Sequence, residues 1–216
     1  MIGTKPASFI PRKQQGEKML STSFVPKIIA VNVVVFLLWN FYGIGNPNFL
    51  INNFLVSWTA LSHGRIWTLI TSVFSHNMLW HIFINMFVFL NFGLVVEKYL
   101  GPVRFILFYL VAGMTGSLIH SIVSNFILHQ PELRALGASG AISGVVLFFA
   151  LLYPREKLFL FGIVPIPALW AAILFVGMDA FGLINQTRGS VSAIGYGAHL
   201  GGALVGLAYF FIHTRR

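Results

Sequence analysis

Long apolar runs, bounded by charged or turn residues, recur along this chain. Six of them approach the roughly 20 residues that cross a bilayer as a helix. These runs cover residues 28–42, 78–96, 103–127, 136–153, 158–184 and 191–212. The pattern predicts an all-α membrane protein built as a bundle of six transmembrane helices.

The segment between the first two runs, residues 43–77, is too long for a tight turn and too apolar for a simple solvated loop. Aromatic side chains with an apolar body and a polar tip favour the membrane interface. We therefore expect a long interfacial first loop. Its large apolar residues are Phe49, Phe54, Leu55, Trp58 and Trp67.

Composition supports a membrane protein, because 57% of residues are hydrophobic and only 9% are charged. An average soluble domain has about 25% charged residues. The net charge of +9 is not gathered into a basic patch, so no nucleic-acid partner is expected. The absence of cysteine excludes disulfides, Cys-ligated zinc and thiol catalysis. No HExxH or carboxylate–histidine set is present, so neither a metal nor a cofactor is expected.

The distribution of basic residues predicts the orientation. Lys and Arg near span ends concentrate on the inner side of a membrane. Eleven fall on the side of the N-terminus, namely Lys5, Arg12, Lys13, Lys18, Lys27, Lys98, Arg104, Arg155, Lys157, Arg215 and Arg216, against Arg65, Arg134 and Arg188 on the other. We expect residues 1–27 to be a cytoplasmic tail, residues 28–216 to be the membrane domain, and both termini to be cytoplasmic. The predicted location is a bacterial plasma membrane.

An organelle-targeting role is the alternative for the tail, since transit peptides are Arg-rich and poor in acidic residues. Glu17 and the modest Arg content favour a plain tail.

Four polar residues inside the predicted spans are candidates for function, because such groups are costly in a membrane. Two of them, His81 and Asn85, are four residues apart and therefore share one face of a helix. Both could donate hydrogen bonds from one patch. The alternative is a structural role, in which they link helices by hydrogen bonding.

The third candidate is Ser139, in the run Gly137-Ala138-Ser139-Gly140 that begins the predicted fourth span. Flanking glycines leave room for a substrate backbone. Free N–H groups and the positive end of the dipole at a helix N-terminus favour a developing oxyanion. The alternative is a small-residue packing motif, since Gly144 follows one turn later.

The fourth candidate is His199, near the outer end of the sixth span and followed by a GxxxG face at Gly202 and Gly206. If that face packs on the fourth span, His199 can reach Ser139. The expected topology also brings His81, Ser139 and His199 to a similar depth on the outer side. This shared depth favours catalysis over structural roles.

These motifs resemble those of the rhomboid proteases, and the resemblance extends from about residue 28 to residue 216. It rests on the glycines around Ser139, on Ala198-His199 with Gly202 and Gly206, on His81 with Asn85, and on the turn at residues 96–101. The resemblance implies a six-helix core with Ser139 as nucleophile and His199 as general base and acid. It implies an oxyanion hole formed by the Ser139 N–H, His81 and Asn85, and transmembrane protein substrates cut near the outer membrane face.

The resemblance implies a Ser–His dyad, whereas ordinary triad logic leaves Asp179, in the fifth span, as an alternative orienting partner for His199. His76 matches a family position and is expected to buttress the first loop. Two residues depart from the family pattern. Thr68 follows Trp67 where a Trp-Arg pair is common, and Ser143 stands where some members place an aromatic that stacks on the histidine.

Two rival functions make different predictions. A non-catalytic rhomboid-like binding protein would lack the serine or the histidine, and both are present. A small transporter would carry paired charges and repeat symmetry at mid-membrane, which this sequence lacks. Besides substrates, lipid is the expected partner, and the sequence does not indicate an oligomeric state.

Overall fold

The computed structural model describes residues 23–160 and 163–214. Most of the predicted N-terminal tail therefore lies outside the described residues, as do Arg215 and Arg216. The described helices are α1 (Val25–Leu37, continued by a π-helical turn at Leu38–Tyr42), α2 (Pro47–Phe54), α3 (Trp58–Ser62), α4 (Thr68–Thr71), α5 (Leu79–Leu100), α6 (Pro102–Phe126), α7 (Ser139–Leu152), α8 (Ala168–Thr187) and α9 (Tyr196–Thr214).

The prediction of a mainly helical membrane protein is confirmed. Four described helices are long and apolar enough to cross a bilayer: Val25–Tyr42, Leu79–Leu100, Pro102–Phe126 and Ala168–Thr187. Helix α7 is apolar but has only 14 residues, about 21 Å at 1.5 Å per residue. The hydrocarbon core of a bilayer is about 30 Å thick. If α7 is embedded in a bilayer, at least one of its ends therefore lies inside that core.

The predicted fifth span, residues 158–184, is wrong at its start. The chain instead forms an antiparallel hairpin of β1 (Lys157–Leu160) and β2 (Val164–Pro167), and α8 begins only at Ala168. Pro165 and Pro167 explain the difference, because each lacks an N–H and pushes the preceding residue into extended conformations. The purely all-α prediction fails at this hairpin.

Glycines bring α7 and α9 into close contact. A Cβ on Gly202 would overlap the carbonyl of Gly140, and one on Gly206 would overlap the carbonyl of Gly144. Such close backbone approach is what small residues permit between membrane helices. Helices α7 and α9 correspond to the predicted fourth and sixth spans, so the packing on which contact between His199 and Ser139 was conditional is present in the structure.

Glu97, near the end of α5, binds the start of α1 at one end of the bundle. Its buried carboxylate accepts hydrogen bonds from the backbone N–H of Phe24 at 2.6 Å, from that of Val25 at 3.3 Å, and from the Ser23 hydroxyl. An anion beside a helix N-terminus satisfies donors that the helix leaves open. The start of α1 therefore lies at the end of α5, about 24 Å along the axis from His81.

The segment between α1 and α5 packs against the loop that precedes α7. A β-bridge joins Val56 to Ala135. Within the segment, Trp67 donates from Nε1 to Asn53 Oδ1 at 3.2 Å, and the buried Thr68 hydroxyl donates to the Arg65 carbonyl at 2.7 Å. The bridge joins the segment to the loop before α7, whereas the other two contacts lie within the segment.

Candidate active site

Ser139 is the first residue of α7, and its hydroxyl points to the α9 histidine. The distance from Ser139 Oγ to His199 Nε2 is 2.9 Å, across 60 positions of sequence. This is a normal hydrogen-bond length between a hydroxyl and an imidazole nitrogen, and such a pair can act as nucleophile and general base. The close packing of α7 on α9 through glycines makes this contact geometrically accessible.

The other ring nitrogen of His199 contacts a carboxylate on α8. The distance from His199 Nδ1 to Asp179 Oδ1 is 2.9 Å, and the two side chains are 21% and 17% exposed. Asp179 therefore contacts His199, although the family resemblance implied a dyad of Ser139 and His199 alone. The only sequence signal for it was that Asp179 is an acidic residue inside a span.

Because Ser139 begins α7, its backbone N–H has no acceptor inside the helix. The carbonyl four residues earlier belongs to Ala135 and accepts from the Val56 N–H at 3.0 Å. Among the described residues, no acceptor is paired with the Ser139 N–H, so it can donate beside its own hydroxyl. A donor in this position can stabilise charge that develops on an attacked carbonyl oxygen.

His81 lies across a small space from Ser139, and Gly137 keeps that space open. A Cβ placed on Gly137 would lie 3.0 Å from His81 Nε2 and 3.8 Å from Ser139 Oγ. Gly137 has φ +124, a conformation that other residues rarely adopt. Both steric room and backbone geometry therefore require glycine here.

Asn85 lies one turn after His81 on α5 and is buried. Its Nδ2 donates to the His81 carbonyl at 2.8 Å. A side-chain amide carries two N–H donors, so this bond leaves a second one. The structure thus places His81 near Ser139 and keeps Asn85 beside His81.

His76 was expected to buttress the first loop. In the structure it contacts the turn that precedes Ser139. It is fully buried, its ring meets the His81 ring edge-on at 4.8 Å, and the Ala138 N–H donates to its Nε2 at 3.5 Å. His76 precedes α5 and lies outside the helical spans. Burial first, and the neighbouring His81 second, lower the pKa of His76 to about 3, so this histidine is neutral.

Ser143, one turn after the serine, donates its hydroxyl to the Ser139 carbonyl at 2.9 Å. Among the described residues, no aromatic ring stacks on His199.

The same residues contain no group of three His, Asp or Glu side chains arranged to hold a metal ion.

A family profile and several known proteins match most of this chain. The family profile described as Rhomboid domain matches residues 63–216. The chain is 33% identical over 190 residues to RHOMBOID-like protein 12, mitochondrial, of Arabidopsis thaliana, an alignment that covers 82% of this chain and 54% of that protein. It is 32% identical over 199 residues to Rhomboid protein 1, mitochondrial, of Saccharomyces cerevisiae, covering 87% of this chain and 52% of that protein.

A human relative, Presenilin-associated rhomboid-like protein, mitochondrial, is 30% identical over 202 residues, covering 86% of this chain and 47% of that protein. The chain thus spans about half the length of the curated relatives it matches.

The predicted bacterial plasma membrane, with cytoplasmic termini, is wrong. The relatives are named as mitochondrial, or in one case chloroplastic, which points to an organellar membrane. The error has a physical reason, because counting basic residues indicates which way a bundle faces and does not identify the membrane. The profile match over residues 63–216, together with relatives that reach 33% identity over 82% of the chain, shows that this protein belongs to the rhomboid family.

Proposed function

We propose that this protein is an intramembrane serine endopeptidase that cleaves transmembrane protein substrates by a Ser139–His199 mechanism. The observation that carries the proposal is the 2.9 Å contact between Ser139 Oγ and His199 Nε2. A hydroxyl attacks an amide only when an adjacent base accepts its proton. Family membership supports the same reaction class.

In the first half of the reaction, Ser139 Oγ attacks the scissile carbonyl carbon while His199 Nε2 takes the hydroxyl proton. His199 then passes that proton to the leaving amine, and the C–N bond breaks to leave an acyl-enzyme. In the second half, a water molecule gives a proton to His199 and attacks the ester carbonyl; His199 then returns that proton to Ser139 Oγ as the ester C–O bond breaks, which releases the carboxylic acid product and restores the serine.

The negative charge on the tetrahedral intermediate requires hydrogen-bond donors. We assign this role to three groups: the Ser139 backbone N–H, the His81 imidazole and the second N–H of the Asn85 amide. Removing one such donor typically costs about 2.7–4 kcal/mol of barrier. The space beside Gly137, between His81 and Ser139, is where we place the scissile carbonyl oxygen.

The proposed substrate class rests on the six predicted spans and on the Ser139 end of α7 being the end that lies at membrane depth. Helix α7 is too short to reach both faces of a bilayer, and Ser139 lies at its first residue. A nucleophile at membrane depth meets peptide bonds of membrane-embedded segments. We place the cut near the membrane face opposite to Glu97, in an organellar membrane, with small and helix-destabilising residues favoured around it by family resemblance.

The test uses the purified full chain, reconstituted in lipid, with a labelled fluorophosphonate and a reporter substrate that has one transmembrane helix. Ser139→Ala and His199→Ala should abolish both covalent labelling and cleavage. Two matched controls should retain both activities. Ser143→Ala removes another serine from α7, and His213→Ala removes another histidine from α9.

Cleavage that persists in the Ser139→Ala protein would contradict the proposed mechanism. Absence of labelling and cleavage in the folded wild-type protein, across substrates with different transmembrane sequences, would favour the rival binding function.

A further inference from the structure

Both ring nitrogens of His199 are engaged at the same time. Nε2 faces Ser139 Oγ and Nδ1 faces Asp179 Oδ1, each at 2.9 Å. A carboxylate at Nδ1 holds the proton on that nitrogen, which leaves Nε2 as the acceptor for the serine hydroxyl. The arrangement therefore selects the tautomer that the proposed reaction needs.

The position of Asp179 is energetically unfavourable unless the carboxylate has a partner. It lies within α8, a helix apolar and long enough to span a membrane, and its side chain is 17% exposed. Carboxylates in spans are costly and are usually paired. Among residues 23–160 and 163–214, this is the only contact within 4 Å between an acidic side chain and a Lys, Arg or His side chain.

Other restraints on the His199 ring are few in the described structure. The position one turn after the serine holds Ser143, whose hydroxyl bonds to the Ser139 carbonyl instead of contacting the imidazole. Position 143 carries no aromatic ring that could restrain His199, so Asp179 supplies the restraint.

Asp179 reaches His199 only while the outer half of α8 lies against α9. The buried residues of α8 are confined to its start, at Ala168, Ala171 and Ala172. Farther along, a Cβ on Gly182 would overlap the Tyr196 ring, so α8 and the beginning of α9 are in contact three residues beyond Asp179. This contact holds the part of α8 that carries Asp179 beside the start of α9.

We propose that Asp179 is a positioning residue for the reaction, which orients His199 and stabilises its protonated form without touching the substrate. This inference rests on the proposed function, because it needs His199 to act as the base. It adds to the Ser–His dyad a third residue contributed by α8.

The test compares Asp179→Asn with wild type in the reconstituted full chain, by kcat and KM on the single-helix reporter and by the rate of fluorophosphonate labelling. We expect kcat to fall on the order of 10²-fold, with KM changed by less than about twofold, because orientation of the base matters most in the transition state. Labelling should slow in proportion. Asp179→Glu, which keeps the carboxylate, should recover at least about tenfold in kcat over Asp179→Asn.

The matched control is Glu132→Gln, which removes an exposed carboxylate from the loop before α7 and should leave kcat and KM unchanged. Thermal melting of each variant, measured in the same lipid, separates positioning from folding. Values of kcat are compared per folded molecule, so partial unfolding does not imitate the expected loss.

Wild-type kcat and labelling in Asp179→Asn would overturn the inference, as would a loss that Asp179→Glu does not relieve at all. Either result would leave the proposed function intact if Ser139→Ala is inactive in the same experiment. Activity in Ser139→Ala would instead overturn the proposed function itself.

Discussion

Gly202 of α9 lies directly against the backbone carbonyl of Gly140 on α7, so closely that a methyl group has no room between them. Gly140 follows Ser139, and Gly202 lies three residues after His199. The separation of the two backbones at this point therefore limits how far Ser139 Oγ can be from His199 Nε2. The glycines set the geometry of the proposed site, although neither has a side chain to contribute.

Gly202→Ala should therefore impair both stability and cleavage. The added methyl group meets a backbone carbonyl, which cannot swing aside, so α9 must move away from α7. Overpacking of this kind typically costs about 1–3 kcal/mol, and a displacement of about 1 Å at a catalytic pair can cost about 10²-fold in rate. Melting temperature and reporter cleavage check the two effects.

Gly177→Ala is the matched control, since a Cβ on this α8 glycine meets nothing within 4 Å. It should preserve both stability and cleavage. Normal cleavage by Gly202→Ala would show that the glycine contact does not determine the Ser139–His199 distance.

Asn85→Ala should lower kcat about 10²–10³-fold if its amide is an oxyanion donor, with a much smaller effect on KM. Asn91→Ala is a close control. Both asparagines lie on α5 and donate Nδ2 to the carbonyl four residues earlier, but Asn91 is on an exposed face. Equal losses in the two variants would mean that Asn85 supports only the helix.

Glu97→Gln should destabilise the fold and leave the chemistry of the folded protein unchanged. The buried carboxylate accepts hydrogen bonds from the N–H groups of Phe24 and Val25. Loss of a charged acceptor that satisfies buried donors costs about 1–3 kcal/mol. The melting temperature should fall, while kcat per folded molecule should stay at the wild-type value because Glu97 lies at the far end of α5.

His76 should make stability depend on pH in the acidic range. Its pKa is lowered to about 3 in the folded protein, against about 6.5 in an unfolded chain. Below about pH 6.5 the unfolded state binds the extra proton, so this residue lowers stability as the pH falls, by up to about 1.4 kcal/mol per pH unit. Above about pH 6.5 the effect disappears.

The measurement is the melting temperature of wild type and His76→Gln at about pH 7.5 and about pH 5. The wild-type protein should lose more stability between the two pH values than the variant does. An equal loss in both proteins would contradict the assignment of this pH dependence to His76.

The positions of the helices were largely predictable because an apolar run of membrane-spanning length has few other stable conformations. Residues 78–96 and 103–127 became α5 and α6 with shifts of a few residues. The start of the fifth run was not predictable from hydropathy alone, because β1 and β2 are as apolar as a helix. Pro165 and Pro167 were the available signal, and their restriction of the backbone favours the hairpin.

The candidate site was predictable to a different degree for each residue. His81 and Asn85 share a face because they are four residues apart on one helix, which is a local property. The approach of His199 to Ser139 could be inferred only conditionally, from glycines on two helices that had to meet. No local pattern indicated whether Asp179 would face His199, the lipid or another helix.

By itself, the sequence determined the membrane character of this protein, the helices with their glycine faces, and the few polar residues costly enough in a bilayer to mark a site. Only the tertiary structure decided that Asp179 of α8 meets His199 of α9, that His76 lies under the turn before Ser139, and that the fifth helix begins after a hairpin. The reason is physical. Hydrophobicity and helical spacing act within one segment, whereas a hydrogen bond between segments depends on how closely and at what rotation the helices pack.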